Sequence, residues 1–149
     1  MGTDVCKQYL MLGDKPVVVH TLQAFDDQPL IEAMVLVVGP CDIEHVKDSI
    51  VRRYEFKKPV MMVEGGRERQ QSVYNGLKAL MRFGDVEIAV IHDGVRPFVT
   101  GQMIRDSICA AERYGAAVVG VPVKDTIKKV DNEQFVVCTP ERSRLWLVQ

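Results

Sequence analysis

The chain has 149 residues, 47% of them hydrophobic, which is enough to bury one sizeable core and is typical of a single domain. Its 19 basic and 20 acidic residues leave a net charge of −1, which argues against nucleic acid or an anionic membrane as a partner. No apolar run is long enough to span a bilayer and the N-terminus lacks a secretory pattern, so we expect a cytoplasmic protein.

Apolar periodicity predicts alternating helices and strands. The first helix is predicted in "PVVVHTLQAF", where the apolar residues share one helical face. Three strand-then-helix pairs follow: "EAMVLVVGP" with "IEHVKDSIVRRY" (capped by Asp42), "KPVMMVEGG" with "RQQSVYNGLKALMRF", and "VEIAVI" with "MIRDSICAAERYG". "AAVVGVPV" is a fourth strand. This order predicts an α/β fold with a Rossmann-like, doubly wound, mostly parallel sheet.

After Pro122 the pattern changes to two β-rich runs on either side of a turn-like "DNE". This pattern predicts a β-hairpin arm over residues 123–145 that projects from the sheet. Such a ribbon cannot bury both of its faces by itself. A partner subunit is the simplest cover, although packing back onto its own domain would also serve.

Four cysteines are scattered along the chain, without a C-x-x-C pair or a histidine cluster. This spacing argues against a zinc site and against a disulfide framework. We interpret them as ordinary buried or half-buried thiols. They are Cys6, Cys41, Cys109 and Cys138.

Polar clusters follow several predicted strands, at the edge where open α/β sheets bind ligands. The first, "EGGRERQQS", combines glycines and arginines with Ser72 near a helix N-terminus, and it suits an anion or a polar ring. A plain glycine turn before a helix is equally consistent with it. The third, "PVKDTIKK", places Asp125 and Thr126 at the end of a strand, where they can hydrogen-bond a ligand.

The second cluster is "HDGVRP". Asp93 can bind a divalent cation that bridges phosphate oxygens, and Arg96 can bind a second phosphate. Alternatively, Asp93 forms an Asx turn or pairs with Arg96 to close a loop. We interpret His92 as a satisfied core residue.

The stretches "KQYLMLGDKPVVVHTLQAF", "GGRERQQSVYNGL", "HDGVRPFV", "GAAVVGVPVKDTIKKV" and "TPERSRLWLVQ" occur in this order over nearly the whole chain. Together they resemble the cytidylyltransferases that act on methylerythritol phosphate in non-mevalonate isoprenoid synthesis. A sister family that cytidylates ribitol phosphate shares "KQ", "HD-x-x-RPF" and "DTI". The stretches "PVKDTIK" and "ERSRLW" favour the isoprenoid branch.

The resemblance implies a binding site for CTP. Lys7 matches the lysine that contacts the α-phosphate and stabilises the charge that develops there. Gly66 and Ser72 match positions that hold the cytosine, and Arg69 is expected to brace that loop. Asp93 matches the Mg²⁺ ligand, and Gly94, the next residue, lies where the ribose passes the backbone.

The resemblance also implies a site for the sugar-alcohol phosphate. Arg96 and Thr126 match residues that hold methylerythritol phosphate, and Asp125 lies beside them. Arg142 matches an arginine that positions that phosphate and reaches across from the neighbouring subunit of a homodimer. The implied reaction is in-line: a phosphate oxygen of the substrate attacks the α-phosphorus of CTP and pyrophosphate leaves. Mg²⁺ and the basic side chains would offset the repulsion between the two polyanions.

The two ends depart from the family pattern. Members begin with a strand and a G-x-G-x-R-M-G loop, whereas this chain starts at "MG" and stops at "LWLVQ", before a segment with a second substrate-positioning lysine. We therefore expect a cytidylyltransferase domain that is incomplete at both ends and has very low activity as written. A nucleotide-binding module without catalysis and a structural dimerisation piece built on the hairpin stay open.

Overall fold

The computed structural model describes residues 6–148 of the chain. The chain divides after Cys109 into two compact units, and helices and strands occur in both. The α/β class is therefore confirmed. The helices are α1 (Val17–Asp26), α2 (Ile43–Val46), α3 (Arg69–Leu80) and α4 (Gly101–Tyr114). The strands are β1 (Met11–Leu12), β2 (Lys15–Pro16), β3 (Met34–Val38), β4 (Val60–Glu64), β5 (Gly120–Pro122), β6 (Lys129–Val130), β7 (Val136–Cys138) and β8 (Trp146–Val148).

A parallel strand pair organises the first unit. β3 and β4 are hydrogen-bonded in register from Met34 opposite Val60 to Val38 opposite Glu64, as their continuous apolar runs predict. α2 lies in the connection between them, and α3 packs on their surface. Gly76 allows this close approach, since a Cβ atom there would lie 3.0 Å from Cγ2 of Val37.

The core of the first unit is apolar and centres on α1, as the helical periodicity predicts. Each of its larger side chains contributes roughly 1.5–3 kcal/mol by leaving water. The pairing of β3 with β4 brings the two strand ends, and the loops that follow them, to one edge. The buried cluster consists of Val18, Val19, Leu22, Phe25, Met34, Val38, Val46, Ile50 and Ile104.

The helix predicted after β3 is irregular rather than α-helical throughout. A 3₁₀ turn (Pro40–Asp42) leads into α2, which passes at Lys47 into a π-helical turn that ends at Val51. Asp42 occupies the cap position, but its side chain makes no capping bond and accepts a hydrogen bond from the Tyr9 hydroxyl at 3.2 Å instead. The predicted cap interaction is therefore wrong.

The strand predicted at "VEIAVI" is not formed. Residues 86–91 form no ladder of backbone hydrogen bonds with any strand among residues 6–148. Burial nevertheless alternates along the segment: Ile88 and Val90 are half-buried while Ala89 and Ile91 are exposed. The apolar run is extended and one-sided, not a strand buried on both faces.

The second unit contains two antiparallel pairs. β5 pairs with β8, and β6 pairs with β7 around a turn in which Oδ1 of Asp131 accepts hydrogen bonds from the N–H groups of Glu133 and Phe135. Gln134 adopts a positive φ of 67° in this turn. A hairpin of residues 129–138 thus lies within the range predicted for the arm, and it exposes apolar side chains: Val130, Phe135, Val136 and Val137.

Residues 6–148 form four sheets of two strands each, and the strands are parallel only in the sheet of β3 and β4.

The free cysteines Cys6, Cys41, Cys109 and Cys138 are all exposed, so their interpretation as buried or half-buried thiols is wrong. Within the described part of the chain, no helix has the length and apolar character needed to cross a membrane.

Candidate active site

The loop that follows β4 is fixed by a hydrogen bond between Gly66 and Ser72, the two residues predicted to bind the cytosine. The N–H of Gly65 donates to the carbonyl of Val38 at 2.7 Å, which extends the β3–β4 ladder by one bond. The Ser72 hydroxyl accepts the N–H of Gly66 at 3.0 Å and lies 3.2 Å from the carbonyl oxygen of Glu68. One hydroxyl on the first turn of α3 therefore fixes the loop.

Gly66 has no room for a side chain. A Cβ atom there would lie 2.1 Å from Cγ and 2.3 Å from Cβ of Gln71. Because these atoms are close to the backbone of α3, the loop itself must move to relieve the overlap. Because the resemblance to cytidylyltransferases implies that this loop holds the cytosine, we expect Gly66→Ala to weaken CTP binding by about tenfold or more.

Isothermal titration calorimetry with CTP measures this effect. Gly84→Ala is the matched control, because Gly84 lies outside the loop and a Cβ atom there would meet nothing within 4 Å. Its positive φ of 106° makes that control strained and destabilising, so both variants are compared at a temperature where each is folded. Unchanged CTP affinity in Gly66→Ala would show that the loop does not contact the nucleotide.

Asp93 lies between two arginines. Its Oδ1 atom is 2.6 Å from Nη1 of Arg69, and its Oδ2 atom is 3.0 Å from Nε of Arg96. The N–H of Arg96 also donates to the carbonyl oxygen of Asp93 at 3.0 Å, which closes a turn. The predicted pairing of Asp93 with Arg96 is therefore present, and the ion pair with Arg69 adds to it.

The hydrogen bond from Arg69 is the largest cause that holds the pKa of Asp93 below its ordinary value, and Arg96 acts in the same direction. Partial burial opposes both. The side chain is ionised at neutral pH and keeps 23% of its surface exposed. It is thus a charged group that a ligand can reach.

The donor set around Asp93 fits one type of cation site. Among residues 6–148 no group of three or more histidine, cysteine, aspartate or glutamate side chains is arranged to hold a metal. Mg²⁺ is commonly bound by one or two carboxylates together with substrate phosphates and water. A single ionised, reachable carboxylate beside two guanidinium groups is compatible with that arrangement, and Asp93 is the residue that would hold the cation.

Thr21, which lies on the core-facing side of α1, was not predicted to contribute to the site. Its buried hydroxyl lies 3.0 Å from the carbonyl oxygen of Gly94, to which it donates, and so ties the turn after Asp93 to the core. Gly94 also lies close to α1, since a Cβ atom there would be 3.5 Å from Cγ2 of Val18. A lone hydroxyl on an otherwise apolar helical face is the signal that could have found it.

His92 packs on the core, with its ring 5.1 Å from that of Phe25. Burial lowers the pKa of His92, so the imidazole is neutral at pH 7. Its Nδ1 atom is buried without a hydrogen-bond partner among the described residues, so the prediction of a satisfied core histidine is right about packing and wrong about satisfaction.

The other residues predicted for the site are exposed. Lys7 begins an exposed 3₁₀ turn (Lys7–Tyr9), and its side chain makes no hydrogen bond or ion pair within residues 6–148. In the second unit, Nη1 of Arg142 donates to the carbonyl of Lys124 at 2.8 Å. Asp125 and Thr126, the next residues after Lys124, are exposed. The described contacts therefore join Gly66, Ser72, Arg69, Asp93 and Arg96, and do not include the side chain of Lys7.

Comparisons with known proteins agree on one family. A family model described as 2-C-methyl-D-erythritol 4-phosphate cytidylyltransferase matches residues 1–149. The protein of that name from Alkaliphilus oremlandii is 46% identical over 149 residues, which are 100% of this chain and 62% of the relative. The one from Desulforamulus reducens is also 46% identical, over 100% of this chain and 63% of the relative.

Solved structures give the same result. The 4-diphosphocytidyl-2C-methyl-D-erythritol synthase from Anaerococcus prevotii superposes with a TM-score of 0.83 at 29% identity, over 95% of this chain and 63% of that one. The 2-C-methyl-D-erythritol 4-phosphate cytidylyltransferase from Thermus thermophilus gives 0.70 at 28% identity, over 96% and 62%. The chain thus spans slightly less than two thirds of the length of these relatives. It belongs to the 2-C-methyl-D-erythritol 4-phosphate cytidylyltransferase family.

Proposed function

We propose that the protein transfers the cytidylyl group of CTP to 2-C-methyl-D-erythritol 4-phosphate and releases pyrophosphate, a step of isoprenoid precursor synthesis. Membership of the family supports this reaction. The observation that carries it is the ionised carboxylate of Asp93, held between Arg69 of the loop after β4 and Arg96 of its own turn. An acid flanked by two guanidinium groups suits a site for phosphates and a divalent cation.

CTP is bound by the first unit in this proposal. The backbone of Gly66 and the loop fixed by Ser72 read the cytosine, and Gly94 passes close to the ribose. Lys7 contacts the α-phosphate and stabilises the charge that develops during attack. Asp93 would hold Mg²⁺, which when bound offsets the negative charge of the phosphates. No covalent intermediate with the protein is needed, because the two substrates react directly.

Arg96 of the first unit and, taken separately, Thr126, Asp125 and Arg142 of the second unit are proposed to bind the second substrate. Two basic side chains oppose the repulsion between its phosphate and CTP, so that a phosphate oxygen can approach the α-phosphorus in line. Arg142 acts on the site of a neighbouring subunit in this account. Arg142 is exposed, and its guanidinium group donates a hydrogen bond to the Lys124 carbonyl. This exposure is what a residue that reaches a neighbouring subunit requires.

The finer architecture is part of the same proposal. We infer a Rossmann-like, doubly wound, mostly parallel sheet of the nucleotidyltransferase type in a single domain, with residues 123–145 as a projecting arm. The parallel pair β3–β4 with α3 packed on it is the element of such a sheet that supports the inference. A cytoplasmic location belongs with this proposal.

Turnover with each sugar phosphate tests the proposed reaction. The full-length protein is incubated with CTP, MgCl₂ and either 2-C-methyl-D-erythritol 4-phosphate or ribitol 5-phosphate, and pyrophosphate release is followed. We expect release with the methylerythritol substrate and at least about tenfold less with the ribitol substrate. The reverse preference would assign the protein to ribitol phosphate, and CTP binding without release would leave a nucleotide-binding module.

We also propose that two copies associate through the hairpin of β6 and β7. Phe135 is 67% exposed, and Val136 and Val137 are each 59% exposed, so the hairpin presents adjacent apolar side chains that a partner could cover. We expect Phe135→Glu to convert a dimer into a monomer in sedimentation equilibrium, because a charge would be buried at the contact. Glu133→Gln, in the same turn, should leave the dimer intact. A monomeric wild-type protein would contradict this assignment.

A further inference from the structure

The side chain of Arg69 connects two parts of the candidate site that lie far apart in sequence. Its guanidinium group contacts Asp93, 24 positions further along the chain, while its backbone begins α3 directly after the glycine loop. Ser72 already fixes that loop, so the guanidinium group is not needed to brace it. We propose that Arg69 is a positioning residue that occupies the cation ligand Asp93 until a nucleotide arrives, and so couples the glycine loop to entry of the cation.

Charge explains why the cation should wait for the nucleotide. This proposal rests on the proposed function, in which Asp93 holds Mg²⁺. One carboxylate and two guanidinium groups carry a net positive charge at neutral pH, so a divalent cation that approaches alone is repelled and must also displace a hydrogen-bonded arginine. A triphosphate supplies several negative charges that reverse this balance. The cation is therefore expected to bind together with CTP and not before it.

Arg69, rather than Arg96, is the side chain that can leave. Its side chain is 73% exposed, against 46% for Arg96. Arg96 also belongs to the turn that contains Asp93, since its N–H donates to the Asp93 carbonyl oxygen. Release of Arg69 breaks one exposed ion pair and leaves this turn intact, and the freed guanidinium group becomes available to a phosphate.

Binding of Mn²⁺ without nucleotide tests the proposal. Mn²⁺ replaces Mg²⁺ as a paramagnetic probe, and its affinity for the protein is measured by water-proton relaxation. We expect Arg69→Gln to bind Mn²⁺ about threefold to tenfold more tightly than wild type, because a competing cation at a partly buried carboxylate has been removed. Arg69→Met should give the same gain. Adding Asp93→Asn to Arg69→Gln should abolish it.

Arg67→Gln is the matched control. Arg67 lies in the same loop and carries the same charge, but it makes no hydrogen bond or ion pair within residues 6–148. The Arg67→Gln substitution should change the Mn²⁺ affinity by less than about twofold, since the Arg67 charge acts on the cation only at longer range and is screened by solvent. An affinity in Arg69→Gln equal to that of wild type, or an equal gain in Arg67→Gln, would overturn the proposal.

The circular dichroism spectrum of each variant checks that its fold is retained. This titration contains neither CTP nor a sugar phosphate. Its failure therefore removes the role of Arg69 and leaves the proposed reaction to the pyrophosphate assay. Failure of the pyrophosphate assay, in turn, would not produce or remove a difference in Mn²⁺ affinity between variants.

Discussion

Asp93→Asn is expected to lower cytidylyl transfer by the full-length protein by about 10²- to 10³-fold while leaving the fold intact. The neutral amide keeps the size of the carboxylate but loses the charge that holds a cation. Its partners Arg69 and Arg96 are 73% and 46% exposed, so solvent screens both ion pairs and the change in the free energy of unfolding should stay within about 1 kcal/mol. Pyrophosphate release at saturating CTP measures the first effect, and urea denaturation measures the second.

Asp106→Asn is the control for this variant. Asp106 is an exposed carboxylate on α4 that accepts a hydrogen bond from Gln102, and its loss should leave turnover unchanged. The opposite pattern for Asp93→Asn, in which the protein unfolds but the folded fraction retains activity, would mean that Asp93 only closes a turn with Arg96.

Asp26→Asn is expected to lower the free energy of unfolding by about 2–3 kcal/mol. Asp26 ends α1 and is only 4% exposed. Its Oδ2 accepts the N–H of Lys57 and its Oδ1 accepts the N–H of Lys58, both at 3.0 Å, so the carboxylate anchors the segment that leads into β4. An asparagine can accept only one of these bonds, because its NH₂ group would face the other N–H.

Asp27→Asn is the neighbouring control. Asp27 is exposed and pairs with Nζ of Lys57 at 2.5 Å, an ion pair that solvent screens. Urea denaturation should show a clear loss of stability for the Asp26 variant and almost none for the Asp27 variant. Equal losses would indicate that the hydrogen bonds from the Lys57 and Lys58 N–H groups, which only Asp26 accepts, do not account for the effect.

Local pattern was sufficient to predict α1, β3, β4 and α3. Each has an apolar repeat that is long enough to distinguish a helix from a strand, and glycines mark the end of β4. The segment 86–91 was predicted wrongly for a physical reason: an apolar extended run becomes a strand only if a neighbour hydrogen-bonds to it. In the second unit, the β6–β7 hairpin is local and its turn was recognisable, whereas the pairing of β5 with β8 depends on contacts between distant residues.

The candidate site was predictable in its residue types and less so in its contacts. The sequence indicated that Gly66 and Ser72 belong to one loop and that Asp93 pairs with Arg96, since these residues are close in the chain. The Arg69–Asp93 ion pair and the Thr21–Gly94 hydrogen bond span 24 and 73 positions, and only the packing of the first unit brings them together. The roles of Lys7, Asp125, Thr126 and Arg142 stay predictions.

Titration of CTP into the wild-type protein and into Asp93→Asn, each with and without MgCl₂, tests the central claim most directly. We expect calorimetry to show that Mg²⁺ strengthens CTP binding to wild type by about tenfold or more, and that Asp93→Asn loses this gain while it still binds CTP weakly through the glycine loop. Equal strengthening by Mg²⁺ in both proteins, or no binding of CTP to either, would contradict a CTP site built around Asp93.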